Sequence, residues 1–386
     1  MTPASSVRVL SRSDLVLLVL AAVFTVGSVL AAHRAGEVAP FAVSALAIAV
    51  LAALVGRAVD HLSDRLGAGA VGVLQSALGN LPELFIALFA LRAGLTGVVT
   101  AAIIGSILAN LLLVLGVSFT VGGVRHGVLE FSAFRARMIM GLMVLAVAGM
   151  LVPSLASFVH APAAGHEVGL SRVTAIVLLL VFVLSIPSSV RREAGPAAAA
   201  AARTDSRSTD SRTADSRTAD SRSADSRSTD SGGHWPLWLA VGMLAVTGVL
   251  AAYVSDLFVN ALQPAMQTLH ISQAFAGLVV VAIAGNAVEN AVGIKLAWQN
   301  QADHALSVVL NSPLQIALVL APVLVLLAPL VGQTPFTMVF SPLLVTTVAT
   351  GTVAVSFLIY DGRSDWLEGT AMVGLYTIIA AAFWWG

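Results

Sequence analysis

GNLPELFIALFALRAGLTGVVTAAIIGSILANLLLVLG (79–116) and GNAVENAVGIKLAWQNQADHALSVVLNSPLQIALVLAP (285–322) are two versions of one phrase, 206 residues apart. Shifted without a gap, Gly79 falls on Gly285, Asn80 on Asn286, Glu83 on Glu289 and Ser106 on Ser312, with Leu108 and Leu112 on Leu314 and Leu318. A gapless match that keeps its polar positions marks an internal repeat. Each copy holds a glutamate within membrane-grade apolar sequence. Such a carboxylate costs roughly 2.5–3.5 kcal/mol on insertion scales, so an intramembrane acid is by default a functional group. A duplicated acid points to a duplicated site, where a cation binds near the bilayer midplane.

The rest of the chain is consistent with that setting. Its 386 residues are 58% hydrophobic and 10% charged, with a mean hydropathy of +0.93. Soluble domains carry about 25% charged residues. Apolar stretches of about 20 residues, the length that crosses a bilayer, recur at roughly 14–33, 38–56, 69–92, 97–121, 136–158, 170–190, 235–256, 270–298, 303–330, 335–358 and 366–385. The expected class is an all-α polytopic membrane protein with about eleven spans. Arg8 and Arg12, ahead of an apolar run ending at Ala31 and Ala32, also fit a signal peptide, although the run is longer than the roughly 7–15 residues usual there. The chain has no cysteine and a net charge of zero, which excludes disulfides and thiolate metal sites and gives no sign of a nucleic-acid partner.

One polar segment, 191–234, interrupts the pattern. Its core repeats DSRST, DSRTA, DSRTA, DSRSA and DSRST across 205–229, with no apolar residue larger than alanine. Such a segment cannot bury enough surface to offset chain entropy, and it reads as a disordered linker. The expected domains are an N-terminal helix (1–36), a five-helix repeat (37–190), the linker (191–234) and a second five-helix repeat (235–386). An odd number of crossings inverts the second copy relative to the first, an arrangement that puts transporter sites at the repeat interface, often on interrupted helices. Gly79 and Pro82 weaken one such helix and Gly285 the other. Basic residues orient the chain: with the N-terminus inside, 17 of the 20 Lys and Arg, the linker arginines among them, lie on the cytoplasmic side. The C-terminus is then outside.

Asn80 and Glu83, like Asn286 and Glu289, are spaced i, i+3 and share a face if the helix holds there. Ser106 with Asn110, and Ser312 with Gln315, follow on the next helix of each half. The site therefore offers two carboxylates, amide and hydroxyl oxygens and any freed carbonyls. All are hard oxygen ligands, which suit calcium rather than zinc or copper. Two carboxylates neutralise one divalent ion. Emptied in a dry core, they oppose each other's ionisation and take up protons. Competition of protons and a divalent cation for the same oxygens is exchange chemistry. Singly, Ser106, Asn110, Ser312 and Gln315 also suit interhelical contacts. Asp60, His61, Asp64, Asp303 and His304 lie near helix ends, where solvation is the default and an ion entrance the alternative.

These two stretches resemble the paired conserved repeats of the cation/proton exchangers, a branch of the calcium/cation antiporter superfamily. The resemblance implies calcium export against proton influx, with Glu83 and Glu289 as shared ligands for calcium and protons. Asn80, Asn286, Ser106, Asn110, Ser312 and Gln315 inherit a supporting role. Departures from the family pattern are Asn290, where histidine is usual, Asn311-Ser312-Pro313, where Gly-Ser is usual, and a charge-balanced linker in place of an acidic one. The resemblance implies a secondary antiporter of the bacterial inner membrane, surrounded by lipid, moving Ca2+ and H+ as small inorganic cations, with no cofactor. Oligomeric state is not readable from the chain. A sodium- or potassium-coupled exchanger is the alternative within transport. A channel would need a continuous polar path, and an intramembrane enzyme a nucleophile with its base or a His-rich metal site; neither feature is evident.

Overall fold

The computed structural model describes residues 11–34, 36–63, 78–186, 235–331 and 335–385. The linker, Asp64 and the first part of the third expected span lie outside them. The helices, in chain order, are α1 (Arg12–Arg34), α2 (Val38–Ser63), α3 (Leu81–Arg92), α4 (Thr96–His126), α5 (Ala133–Phe158) and α6 (Glu167–Ile186). After the linker come α7 (Leu237–Leu269), α8 (Gln273–Gly285), α9 (Ala287–Trp298), α10 (Ala302–Val331), α11 (Pro342–Leu358) and α12 (Trp366–Trp384). Among the described residues, eight helices are long and apolar enough to cross a membrane, or nine if the bent pair α8–α9 is one span.

Burial ranks these helices. In the most apolar stretch of α4, 83% of residues are buried inside the protein, against 11% in α1. So α4 is the central post and α1 a peripheral helix facing the surroundings. The N-terminal end of α1 is pinned nonetheless. Asp14 is buried, pairs with Arg57 of α2 at 3.4 Å and accepts from the indole Nε1 of Trp235 at 3.3 Å.

Two expected boundaries move. The span expected at 235–256 continues to Leu269, with Asp256 and Asn260 along its side, where Asn260 Nδ2 donates to Asp256 Oδ2 at 3.2 Å. The span expected at 335–358 is helical only from Pro342, with Ser341 as N-cap. The preceding segment is non-helical and buries Phe336, Met338 and Phe340. Its backbone is satisfied by serines of two other helices: Ser154 Oγ donates to Met338 O (3.0 Å) and accepts from Phe340 N (2.9 Å), and Ser171 Oγ accepts from Met338 N (3.0 Å). Non-helical backbone at depth needs such partners. On the same side as the α4–α5 turn, Leu129–Glu130 (β1) and Arg363–Ser364 (β2) form a short antiparallel pair.

Candidate functional site

The two GNxxE segments do not hold as continuous helix. Residues 79–80 form a turn before α3, and Asn286 is a turn residue between α8 and α9. Asn80 has φ −96°, ψ 18° and Asn286 φ −97°, ψ 17°, so two positions 206 residues apart adopt the same break. Helices α8 and α9 meet at a 65° bend. The condition for Asn and Glu to share one helix face is thus not met: each asparagine is the N-cap of the helix whose first turn carries its glutamate. Pro82 sits in the first turn of α3, where a missing N–H removes no hydrogen bond. Glu83 and Glu289 are first-turn residues of α3 and α9, where the helix dipole favours negative charge.

Glu83 is 6% exposed. Its Oε1 accepts from Ser106 Oγ of α4 at 3.0 Å and from Asn286 Nδ2 at 2.5 Å. Asn286 Oδ1 accepts from Ser312 Oγ of α10 at 3.0 Å. Asn110 Nδ2 approaches the same hydroxyl at 3.4 Å and donates to Ser106 O at 2.9 Å. Polar residues of both GNxxE phrases and both following helices are thus joined in one buried network. The contact is close enough to require glycine: a Cβ on Gly285 would lie 2.5 Å from Glu83 Cγ. Glu289 is half-buried and lies within electrostatic reach of Glu83.

The network is satisfied on one side only. Among the described residues, Glu83 Oε2, Asn110 Oδ1, Asn80 Nδ2 and Asn290 Oδ1 are buried without a hydrogen-bond partner. Three of these are acceptor oxygens. Such groups cost about 1–3 kcal/mol each when left unpaired, which suits a site that receives a cation. Among the described residues no three or more His, Asp or Glu gather into a group that could hold a metal ion.

The two glutamates face different surroundings. Glu289 lines a cavity of about 300 Å³ whose wall includes Asp60, Gly79, Ser307, Asn311, Ser312 and Gln315. Glu83 and Ser106 border a space of about 20 Å³ lined otherwise by apolar side chains. Of the residues expected from the sequence, hydrogen bonds join Glu83, Ser106, Asn110, Asn286 and Ser312, and Gly79, Glu289, Ser312 and Gln315 line the cavity. Asp60, exposed near the C-terminal end of α2 as expected, also stands on the cavity wall. Ser307 was not singled out, although Asp303, Ser307, Asn311 and Gln315 recur at four-residue spacing along α10. Asp303 and His304 remain near the helix end, Asp303 accepting from Ser132 N at 2.8 Å.

Both helices that follow the glutamates widen into π-helix at corresponding places, Ala109–Val114 in α4 and Ile316–Leu320 in α10. Such bulges frequently accompany functional sites.

Comparison with known proteins bears on the same regions. Residues 37–189 and 239–385 match the model of the family described as sodium/calcium exchanger protein. A Ca(2+)/H(+) antiporter of Aphanothece halophytica is 33% identical over 349 residues, 90% of each chain. The Ca(2+)/H(+) antiporter ChaA of Bacillus subtilis (strain 168) is 32% identical over 346 residues, 89% of this chain and 91% of that one. A solved structure of the Ca2+/H+ antiporter protein YfkE superposes with a TM-score of 0.75 at 28% identity, covering 96% of this chain and 99% of that chain.

Proposed function

We propose that this chain, which belongs to the sodium/calcium exchanger protein family, is a secondary antiporter that exports Ca2+ in exchange for H+. The carrying observation is the bond from Asn286 to Glu83, which joins the two repeated phrases around two carboxylates in a buried, oxygen-lined centre. The resemblance to proteins named Ca(2+)/H(+) antiporters supports cations and protons as the exchanged ions.

In this proposal Glu83 and Glu289 are ionised while they hold the metal and protonated when it leaves. Calcium accepts a variable shell of 6–8 oxygens, drawn from the two carboxylates, neighbouring amide and hydroxyl groups, and backbone carbonyls at the helix breaks. Two negative charges match one divalent cation, so the loaded centre is close to neutral. Protonating both carboxylates leaves the empty centre neutral as well. A centre with charges but no metal is the costly state in low dielectric, and that cost couples the two ion movements.

The residues 37–190 and 235–386 act as inverted five-helix repeats, with 1–36 as an extra helix and 191–234 as a linker. Alternating access exposes the centre to one side and then the other. The cavity beside Glu289 and the closed apolar surround of Glu83 are the pattern expected of a state open on the side of the α2 C-terminus. Basic-residue placement supports that side as cytoplasmic in a bacterial inner membrane. Everted vesicles acidified inside test the function: calcium accumulation that is abolished by E83Q or E289Q supports it, and full transport by both variants overturns the site.

A further inference from the structure

The two approaches to the centre differ in a way that the repeat does not require. Along α10 the cavity wall carries Asn311, exposed, and Gln315, half-buried, one helical turn apart. The 206-residue correspondence puts Gly105 and Ala109 at these positions on α4. Ala109 is fully buried, and a Cβ on Gly105 would lie 2.4 Å from Leu278 Cα. One helix position therefore packs with glycine in one half and projects a primary amide into a water-accessible cavity in the other. Packing does not demand the amide. An amide at this depth is tolerated where it is hydrated or binds something.

Asn311 lies about one helical turn, roughly 6 Å, from Gln315 towards the start of α10. Opposite, on α2, stands Asp60, which makes contacts of its own and enters here as a carboxylate on the wall. Farther out, Ser307 Oγ donates to Asp303 O at 2.9 Å, and Arg135 Nη1 reaches Ser307 at 3.5 Å. That guanidinium places positive charge at the rim, so a cation is held inward of Ser307 rather than beside it. A hydrated divalent ion arriving from the cavity must shed water before it reaches Glu289, and neutral carbonyl oxygens replace water at little electrostatic cost.

We propose that Asn311, with Gln315 and the Asp60 carboxylate, forms a waiting station for a partly hydrated divalent cation on the cavity side of Glu289, which the matching positions of α4, Gly105 and Ala109, do not duplicate. The station rests on the exchange function proposed above and adds a side-specific affinity determinant to it. Hard-oxygen chemistry assigns it to calcium-like ions. Asn311 binds the ion in transit through its amide oxygen, while Glu83 and Glu289 bind it at the centre.

Side-resolved transport tests the station. Asn311→Ala should raise the apparent KM for calcium presented from the cavity face by on the order of tenfold, the loss of one good contact to a charged group, with kcat and the KM from the opposite face unchanged. Asn311→Asp, which keeps an oxygen in place, should restore or tighten the cavity-face KM. Equal changes on both faces, a lower kcat with KM unmoved, or no change at all would overturn the proposal. A second measurement needs no transport. The chain contains no cysteine, so Val308→Cys, on the same cavity wall, introduces a single thiol and leaves Asn311 in place. Its reaction with a membrane-impermeant thiol reagent applied from the cavity face should be slowed by calcium chloride, and unchanged labelling would overturn the station. If the wild-type protein fails to exchange calcium for protons but calcium still protects this thiol, the exchange function fails and the station survives.

Discussion

Asn286 donates through Nδ2 to Glu83 Oε1 at 2.5 Å across 203 residues of sequence. The amide of one repeated phrase thereby orients the acid of the other. Its carbonyl oxygen is occupied by Ser312, so the side chain is held at both ends and cannot rotate without breaking one bond.

Replacing Asn286 by alanine should therefore weaken calcium binding by on the order of tenfold while leaving the protein folded. The Glu83 carboxylate would lose a charge-assisted bond, worth about 1.5–3 kcal/mol, and its fixed direction. Equilibrium calcium binding to purified protein checks this, and wild-type affinity in the variant would contradict it.

Gly285→Ala should impair transport more sharply than its size implies. The added methyl would sit 2.5 Å from Glu83 Cγ and 2.8 Å from Oε1, so the carboxylate must move. Overpacking of this kind costs about 1–3 kcal/mol, which corresponds to a loss of roughly fivefold to a hundredfold. Gly141→Ala is the control, because nothing lies within 4 Å of the added atom. Vesicle uptake of both variants, normalised to inserted protein, decides the matter.

Calcium affinity should fall as pH falls, because the metal needs carboxylates that protons also occupy. The sign follows from mass action: acid fills the ligand oxygens, and binding metal releases protons. If both glutamates exchange, the logarithm of the dissociation constant changes by about two per pH unit in the acidic limit, and by about one in Glu289→Gln. Calcium titrations at several pH values would reveal these slopes. A pH-independent affinity would rule out shared occupancy.

Ser154→Ala should lower thermal stability without lowering transport per folded molecule. The hydroxyl accepts from Phe340 N and donates to Met338 O, and its loss strands two buried backbone groups at about 1–3 kcal/mol in all. A thermal-shift assay in detergent should show a lower midpoint. An unchanged midpoint would mean that water replaces the hydroxyl.

Membrane class and helical fold were legible in the sequence because they follow from composition and from apolar stretches of spanning length. The repeat was legible because polar residues recur at a constant offset against an apolar background. Helix ends were harder to place. One span was expected to end at 256, yet the helix continues to Leu269, with Asp256 and Asn260 bonded to each other along its side. The non-helical segment before Pro342 was unreadable because the serines that satisfy it, Ser154 and Ser171, come from distant helices.

The same division runs through the candidate centre. Glu83, Glu289 and their flanking oxygens could be named from spacing and from the cost of charge in hydrocarbon. The backbone break at Asn80 and Asn286, and the bond that crosses from one phrase to the other, needed three dimensions. Asp60 and Asn311 acquired meaning only once helices α2 and α10 enclosed a cavity.

By itself, the order of residues settled which groups are too costly to be idle in a membrane, because transfer free energy is a property of each side chain. Tertiary structure alone decided which glutamate meets the polar cavity and which is buried against Ser106 and Asn286. That difference arises from how α2, α9 and α10 pack around the cavity, which the two GNxxE segments by themselves do not reveal.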